Sequence, residues 1–211
     1  HVDVGTQSLG AAVHNAQRAH AGVVVIAGRA PRTYDGELPG GRTIPVHWQQ
    51  DQADPHGIVR GYVKWSEELT LPETMPQLVP RAFQVAGSDP AGPVYLTVAR
   101  EVLMRPVDGV RVIPPQRRRA PITPPGCADA VATAARWLAD AERPLVIAGR
   151  VGRHPESVAH LARLCETAGL PLADYREYLN LPSDHPCYIP EDREAAERLR
   201  TADVVLLVDV E

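Results

Sequence analysis

The chain of 211 residues has little of several features that define whole classes of protein. Its three cysteines are odd in number and form no C-x-x-C pair, which disfavours both a disulfide framework and a zinc ribbon. No apolar run approaches the roughly 20 residues that a membrane-spanning helix needs. The net charge of -4 gives no general basic field for nucleic acid or anionic membranes. We therefore expect a cytoplasmic protein with inert, buried thiols and neither a nucleic-acid nor a membrane partner.

Short catalytic motifs are also missing. The eight histidines form no H-E-x-x-H pattern, and Ser8 lies in no G-x-S-x-G turn, so hydrolase chemistry is unsupported. His47 and His56 lie in a polar stretch that also contains Asp51 and Asp54. Exposed loop residues are a better interpretation of this group than a metal site. The residues by themselves indicate no complete catalytic constellation.

What the sequence does contain is an alternation of helical and strand patterns in two segments. In the first segment, Val23–Gly28 is short and β-branched, which predicts a strand buried on both faces, and Ile58–Trp65 and Pro93–Val98 predict two more strands. Strand, helix and strand patterns also alternate in the second segment, which favours a parallel sheet with right-handed crossovers. Its predicted strands are Pro144–Gly149, Leu170–Ala173 and Val204–Val208. We expect the α/β class, with two incomplete, Rossmann-like, three-layer domains built on parallel sheets.

A proline-rich stretch, residues 105–126, separates the two segments. It contains six of the 21 prolines and has no helical period, which predicts an extended, semi-rigid linker. Its run Arg117–Arg119 is the only charge cluster in the stretch. A nucleic-acid patch would need more basic residues and interleaved aromatics, so a solvated linker is the better interpretation.

Two loops are candidate ligand sites, because ligands of open parallel sheets bind beyond the carboxyl ends of the strands. The first is Gly28–Gly57, a long irregular stretch of a kind that is usually functional or forms a lid. The second is the turn Gly149–His154, in which Gly149 and Arg150 lead into a helix N-terminus that can bind phosphate. This turn is neither G-x-G-x-x-G nor a Walker loop, so a plain β–α turn is the alternative to nucleotide contact.

Four stretches occur in an order and spacing that together resemble one enzyme family. They are the turn Asp3–Gly5 before a helix and a strand, the G-x-x-R-x-x-x-K pattern of Gly57–Lys64, the Gly-Pro-Val strand at Gly92–Leu96, and the segment Ala141–Gly149. This pattern resembles the thiamine-diphosphate-dependent enzymes, and within them the acetolactate synthase group. The first three stretches resemble the pyrimidine-binding domain, and the fourth resembles the opening of the central domain.

The resemblance implies a domain plan and a function. Residues 1–104 would be the C-terminal part of a pyrimidine-binding-type domain, 105–126 the linker, and 127–211 the N-terminal part of a central, transhydrogenase-like domain. The complete enzyme would be a lyase or carboligase acting on a small 2-oxo acid with thiamine diphosphate and Mg²⁺, and it would form a homo-oligomer. The family's essential glutamate is expected before His1, and its metal and diphosphate motif belongs to a third domain. The 211 residues alone are therefore expected to be inactive.

The resemblance also implies site residues. Val4, Gly5 and Gln7 would lie on the aminopyrimidine side of the cofactor, where a glycine permits close approach of the backbone. The family's Phe-Gln-Glu is expected at Gln50, Asp51 and Gln52, and this departure leaves the choice of substrate open. The central domain holds FAD in some relatives and a different nucleotide or nothing in others, with Gly149 and Arg150 as the candidate contacts.

Two functions of other classes compete with this enzyme. One is a stand-alone nucleotide-binding or regulatory module that uses the turn Gly149–His154 and has no catalytic activity. The other is an interaction piece that self-associates through exposed strand edges.

Overall fold

The computed structural model describes residues 1–121, 124–175, 178–190 and 192–210. The chain forms two compact units, His1–Thr123 and Pro124–Glu211, and each is built on a three-stranded parallel sheet. The predicted α/β class with two parallel sheets is therefore confirmed. The boundary between the units falls within the stretch 105–126. In the described ranges, no helix has the length and apolarity needed to cross a membrane.

The first unit has the sheet order β1-β3-β2, so that β3 lies in the middle and pairs in parallel with both neighbours. Three 3-10 turns, Pro55–Ile58, Pro72–Thr74 and Pro115–Arg118, connect its elements. The helices and strands are α1 (Val4–Ser8), α2 (Gly10–Arg18), β1 (Val24–Arg29), α3 (Val46–Gln49), β2 (Trp65–Leu69), α4 (Met75–Ala86), β3 (Val94–Ala99) and α5 (Arg100–Met104).

All six residues of β3 are buried, because side chains pack on both of its faces. Val94 and Leu96 pack against Ala82 of α4 on one face. On the other face Tyr95 packs against Val13 of α2. The alternation of side chains along a strand sends successive residues to opposite faces, which separates the two clusters.

The sequence predicted a strand at Ile58–Trp65, and this prediction is wrong. The strand begins only at Trp65, and the 3-10 turn Pro55–Ile58 precedes it. Asp54 caps that turn, since its Oδ1 accepts a hydrogen bond of 2.9 Å from the backbone N–H of Gly57. The apolar residues that follow, with Val59 at 1% exposure, fill the core beside Tyr95 without pairing in the sheet. Burial, not strand pairing, explains why this stretch is apolar.

The prediction that β1 is buried on both faces is also wrong. Ile26 is 58% exposed, and β1 is an edge strand that, among the described residues, pairs with β3 alone. Its β-branched composition fits the pleated surface of an edge strand as well as that of a central one.

The second unit has the sheet order β5-β4-β6, with β4 in the middle. Helix α7 (Pro155–Ala168) ends where Gly169 adopts a left-handed conformation with φ of 63°. The core contains Val146, Leu161 and Leu172. The elements are α6 (Ala128–Asp140), β4 (Pro144–Ala148), α7 (Pro155–Ala168), β5 (Leu172–Asp174), α8 (Asp192–Thr201) and β6 (Val204–Val208).

The three cysteines differ in their surroundings. Cys165 is buried, and burial raises the pKa of its thiol to about 11, so it is an inert core residue. Cys127 is exposed at the start of α6, where the backbone N–H groups of Ala130 and Asp129 lower the pKa of its thiol. The expected burial is confirmed for Cys165 and wrong for Cys127, and Cys187 is partly buried.

A buried hydroxyl pair fixes α1 to the central strand of the first sheet. The hydroxyl oxygens of Thr6 and Tyr95 lie 2.7 Å apart, and each residue is 1% exposed. Burial raises the pKa of the Tyr95 hydroxyl, so this group stays protonated at neutral pH.

We expect Tyr95→Phe to lower the free energy of unfolding of the first unit by about 1–3 kcal/mol, because it leaves the Thr6 hydroxyl buried without its partner. Urea unfolding followed by circular dichroism measures the change. Tyr34→Phe is the matched control, since Tyr34 is 59% exposed. Equal effects of the two substitutions would contradict the importance assigned to the pair.

Asn180 joins three segments of the second unit. It is fully buried, and its Oδ1 accepts a hydrogen bond of 3.0 Å from the backbone N–H of Gly152. Its Nδ2 donates to the carbonyl oxygens of Ala148 and Gly149, each at 3.0 Å, and lies 2.9 Å from Oδ1 of Asp174. The side chain thus ties the end of β4 to the turn after it and to β5.

We expect Asn180→Ala to destabilise the second unit by about 3 kcal/mol or more, because it leaves the backbone N–H of Gly152 without its partner, removes a donor from two carbonyl oxygens and opens a cavity in the core. The shift in the midpoint of thermal or urea unfolding measures this loss of stability. Asn15→Ala, at the exposed asparagine of α2, serves as the control and should have little effect. A small shift for Asn180→Ala would show that water replaces its hydrogen bonds.

Candidate functional site

The carboxyl ends of β1, β2 and β3 meet at one edge of the first sheet, and polar side chains collect there. The register places Thr97 of β3 opposite both Ala27 of β1 and Glu68 of β2. This edge is where open parallel sheets bind their ligands. We name the following residues the carboxyl-end cluster: Arg29, Arg32, His56, Glu68, Thr97 and Glu101.

His56 reaches this edge from the 3-10 turn Pro55–Ile58. Its Nε2 lies 3.0 Å from Oγ1 of Thr97, and its ring stands edge-on to Tyr95 with the centroids 5.3 Å apart. Burial is the largest effect on the pKa of His56 and lowers it, although Glu68 acts in the opposite direction. The imidazole is therefore neutral at neutral pH and can donate or accept a hydrogen bond.

The prediction that His56 is an exposed loop residue is thus wrong. The residue is half-buried, because the turn that carries it packs its apolar neighbours on the sheet.

Glu68 is shared between two arginines. Arg32 donates to both of its carboxylate oxygens, from Nε at 2.9 Å and from Nη2 at 2.5 Å, and this pairing raises the pKa of Arg32. Nε of Arg29 lies 3.7 Å from the same carboxylate and is buried with no hydrogen-bond partner in the described part of the chain. The cluster therefore contains one buried donor that makes no hydrogen bond with the described residues.

Glu101 fastens the long loop after β1 to the sheet. The carboxylate is 8% exposed, and its Oε1 accepts hydrogen bonds from the backbone N–H groups of Arg32 at 2.6 Å and Thr33 at 3.1 Å. Its Oε2 is buried and has no partner among the residues described. Gly40 approaches Glu101 so closely, with φ of 91°, that a Cβ would lie 3.0 Å from the backbone of Glu101.

The predicted substrate residues lie in this same loop. Asp51 forms an ion pair with Arg42, and Oε1 of Gln50 is buried with no partner in the described ranges, whereas Gln52 is exposed. The charge of Asp51 contributes to the raised pKa of Arg32, so the pair lies within electrostatic reach of the carboxyl-end cluster. A shallow cavity of about 460 Å³ in the same loop is lined by Thr43, Ile44, Pro45, Trp48 and Gln49.

The predicted aminopyrimidine residues lie on α1. The side chain of Val4 is 60% exposed, and Gln7 donates to Oδ1 of Asp3 at 2.7 Å. Asp3 itself has φ of 45° and ψ of -87°, a conformation that is rare outside glycine and clusters at functional sites. Through Thr6, α1 contacts Tyr95 and so lies beside His56.

Local packing also favours a glycine at position 5. A Cβ at this position would lie 2.6 Å from the Cβ of His1.

The turn Gly149–His154 belongs to the second unit, and other groups of that unit pack against it and accept its hydrogen bonds. The backbone N–H groups of Gly149, Gly152 and Arg153 donate to oxygens of the same unit. A Cβ on Gly149 would lie 2.1 Å from the carbonyl oxygen of Asp209, and Arg153 pairs with the Asp209 carboxylate. Packing explains these glycines, and nucleotide contact at Gly149 and Arg150 stays a prediction.

The structure therefore places Val4, Gly5, Gln7 and Gln50–Gln52 in the first unit and Gly149 and Arg150 in the second. Among the described residues, no group of three or more His, Cys, Asp or Glu side chains could hold a metal ion. The sequence did not identify His56, Glu68, Thr97 and Glu101. The rule that places ligands beyond the carboxyl ends of parallel strands, applied to β2 and β3 as well as β1, is the signal that points to them.

Comparisons with known proteins agree on one family. Residues 131–210 match the family model of the thiamine pyrophosphate enzyme central domain. The protein named "Probable 2-ketoarginine decarboxylase AruI" of Pseudomonas aeruginosa is 33% identical over 79% of this chain and 29% of its own length. Acetolactate synthase of Bacillus subtilis is 25% identical over 72% of this chain and 24% of its own length. The chain thus spans a quarter to a third of the length of these relatives.

A solved structure shares the fold. The thiamine diphosphate-dependent 4-hydroxybenzoylformate decarboxylase of Rhodococcus jostii RHA1 has a TM-score of 0.73 and 20% identity, over 98% of this chain and 38% of that one. The similarity therefore extends over both units. The chain belongs to the superfamily of thiamine-diphosphate-dependent enzymes.

Proposed function

We propose that this protein converts a 2-oxo acid with the help of thiamine diphosphate, as a lyase or carboligase of the acetolactate synthase type. The observation that carries the proposal is the extent of the similarity. The central-domain model matches residues 131–210, whereas the relatives align over 72–79% of the chain and so include part of the first unit. One of these relatives is named as a decarboxylase of a 2-oxo acid and the other as a synthase, which are the two reaction classes proposed.

The residues of α1 fit the aminopyrimidine part of the cofactor. An exposed, apolar Val4 suits contact with an aromatic ring, and the strained backbone at Asp3 immediately precedes it. When bound, thiamine diphosphate serves as the electron sink for the pair released when a carboxylate leaves as CO₂. We assign this chain the aminopyrimidine side, with Val4 and Gly5 against the ring and Gln7 as their neighbour.

The chain's own residues would orient the substrate. We assign contact with the 2-oxo acid to Gln50, Asp51 and Gln52, because they lie in the loop after β1 and the Asp51–Arg42 pair is within electrostatic reach of the carboxyl-end cluster. The neutral imidazole of His56, held by Thr97, is available at the same edge to position a polar group.

We assign any binding of FAD or another nucleotide by the second unit to side chains of the turn after β4. The N–H groups of Gly149, Gly152 and Arg153 donate within the unit, so we assign contact with FAD or another nucleotide there to the side chain of Arg150.

An activity assay of the protein as encoded in its source genome tests the proposal. Release of CO₂ from a panel of 2-oxo acids is measured with and without thiamine diphosphate and Mg²⁺, and acyloin products are analysed to separate carboligase from lyase activity. We expect turnover only with both additions, and we expect the 211 residues alone to show none. Turnover of no 2-oxo acid by the cofactor-loaded protein, or turnover without the cofactor, would contradict the proposal.

We expect Val4→Ser to raise the KM for thiamine diphosphate about fivefold, since the loss of an apolar contact costs roughly 1 kcal/mol. The rate at saturating cofactor should change little, because the contact is the same in the ground and transition states. Val131→Ser is the matched control, because Val131 is 61% exposed and Val4 60%. Similar KM values for both variants and the unsubstituted protein would contradict the placement of α1 at the cofactor site.

A further inference from the structure

A cavity of about 810 Å³ lies in the first unit between α4 and the segment 107–118. The segment folds back on α4, and Nε2 of Gln84 donates to the carbonyl oxygen of Arg119 at 2.8 Å. Three arginines, Arg111, Arg117 and Arg118, line the cavity. We name this feature the arginine cavity.

The arginine cavity carries positive charge that the protein does not neutralise. In the part of the chain that the structure describes, Arg111, Arg117 and Arg118 form no ion pair with a carboxylate. Glu73, the acidic residue of the lining, is held by Arg105 at 2.8 Å. The lining residues alone, three arginines and one glutamate, carry a charge of +2 in a chain whose net charge is -4.

Apolar side chains complete the lining. Val107, Val110 and Ile113 contribute to the wall, and Val110 is 50% exposed. The segment bends at Gly109, whose φ of 72° favours glycine. The volume lies within the range of roughly 300–1,000 Å³ typical of small-molecule sites, which is much larger than one phosphate group requires.

We propose that the arginine cavity binds a nucleoside diphosphate, or a similar molecule that joins phosphate groups to an aromatic body. Guanidinium groups bind phosphate oxygens through paired hydrogen bonds, and the valines and isoleucine provide the surface on which a base can lie. This assignment moves nucleotide binding from the turn Gly149–His154, whose backbone donors are used within the protein, to a site in the other unit. It does not depend on the function proposed above.

Titration calorimetry of the 211-residue chain with ADP tests the proposal. We expect saturable binding at one site, and binding at least about tenfold weaker for the double variant Arg117→Gln, Arg118→Gln, because charge-assisted hydrogen bonds are lost. Adenosine should also bind at least about tenfold more weakly than ADP, and raising the salt from about 50 to 300 mM should weaken ADP binding. Arg193→Gln is the control for the loss of positive charge, since Arg193 lies on α8 and its side chain is 88% exposed.

Three results would overturn the proposal. They are the absence of saturable ADP binding up to about 1 mM, equal affinities of the double variant and the unsubstituted chain, and a loss on Arg150→Ala as large as that of the double variant. Thermal melting checks that the variants fold. If the double variant does not, Arg111→Gln replaces it, because Arg111 is exposed and its loss should weaken ADP binding severalfold. Calorimetry with ADP and the CO₂ assay are independent, so either proposal can fail alone.

Discussion

Parallel pairing of β3 with both β1 and β2 is the constraint on which the first unit depends. Because all three strands run in one direction, their carboxyl ends meet at one edge, and the residues at those ends become neighbours. Glu101 then fastens the loop after β1 over this edge, and the Thr6–Tyr95 pair fixes α1 beside it. The candidate residues of the first unit on α1 and in the loop after β1, which are far apart in sequence, are thereby both tied to this sheet edge.

Buried polar groups occur in both units, in surroundings that differ from one group to the next. In the second unit, Asn180 satisfies the backbone groups around it, and the turn after β4 is closed by its own chain. In the first unit, Nε of Arg29 and Oε2 of Glu101 are buried without partners among the described residues. Because an unsatisfied buried group is costly, such atoms indicate a site built for a polar ligand, whereas a satisfied network indicates structure.

The sequence was sufficient for the α/β class, the two parallel sheets and the positions of β3, β4 and β6, since short apolar runs between turn residues depend on local composition. It failed at Ile58–Trp65, because burial beside Tyr95 makes a segment apolar whether or not it pairs in a sheet. It also missed His56 and Glu101. Their roles come from contacts with residues 41 and 69 positions away, with Thr97 and Arg32 respectively, and no local pattern shows such contacts.

A structure of the protein with bound thiamine diphosphate tests the central claim most directly. The claim is that α1 and the carboxyl-end cluster form the aminopyrimidine side of a thiamine-diphosphate site. The account predicts van der Waals contact, at about 4 Å, between the side chain of Val4 and the aminopyrimidine ring, with no other helix of the first unit in its place. A ring bound more than about 10 Å from α1, well beyond such contact, would contradict it.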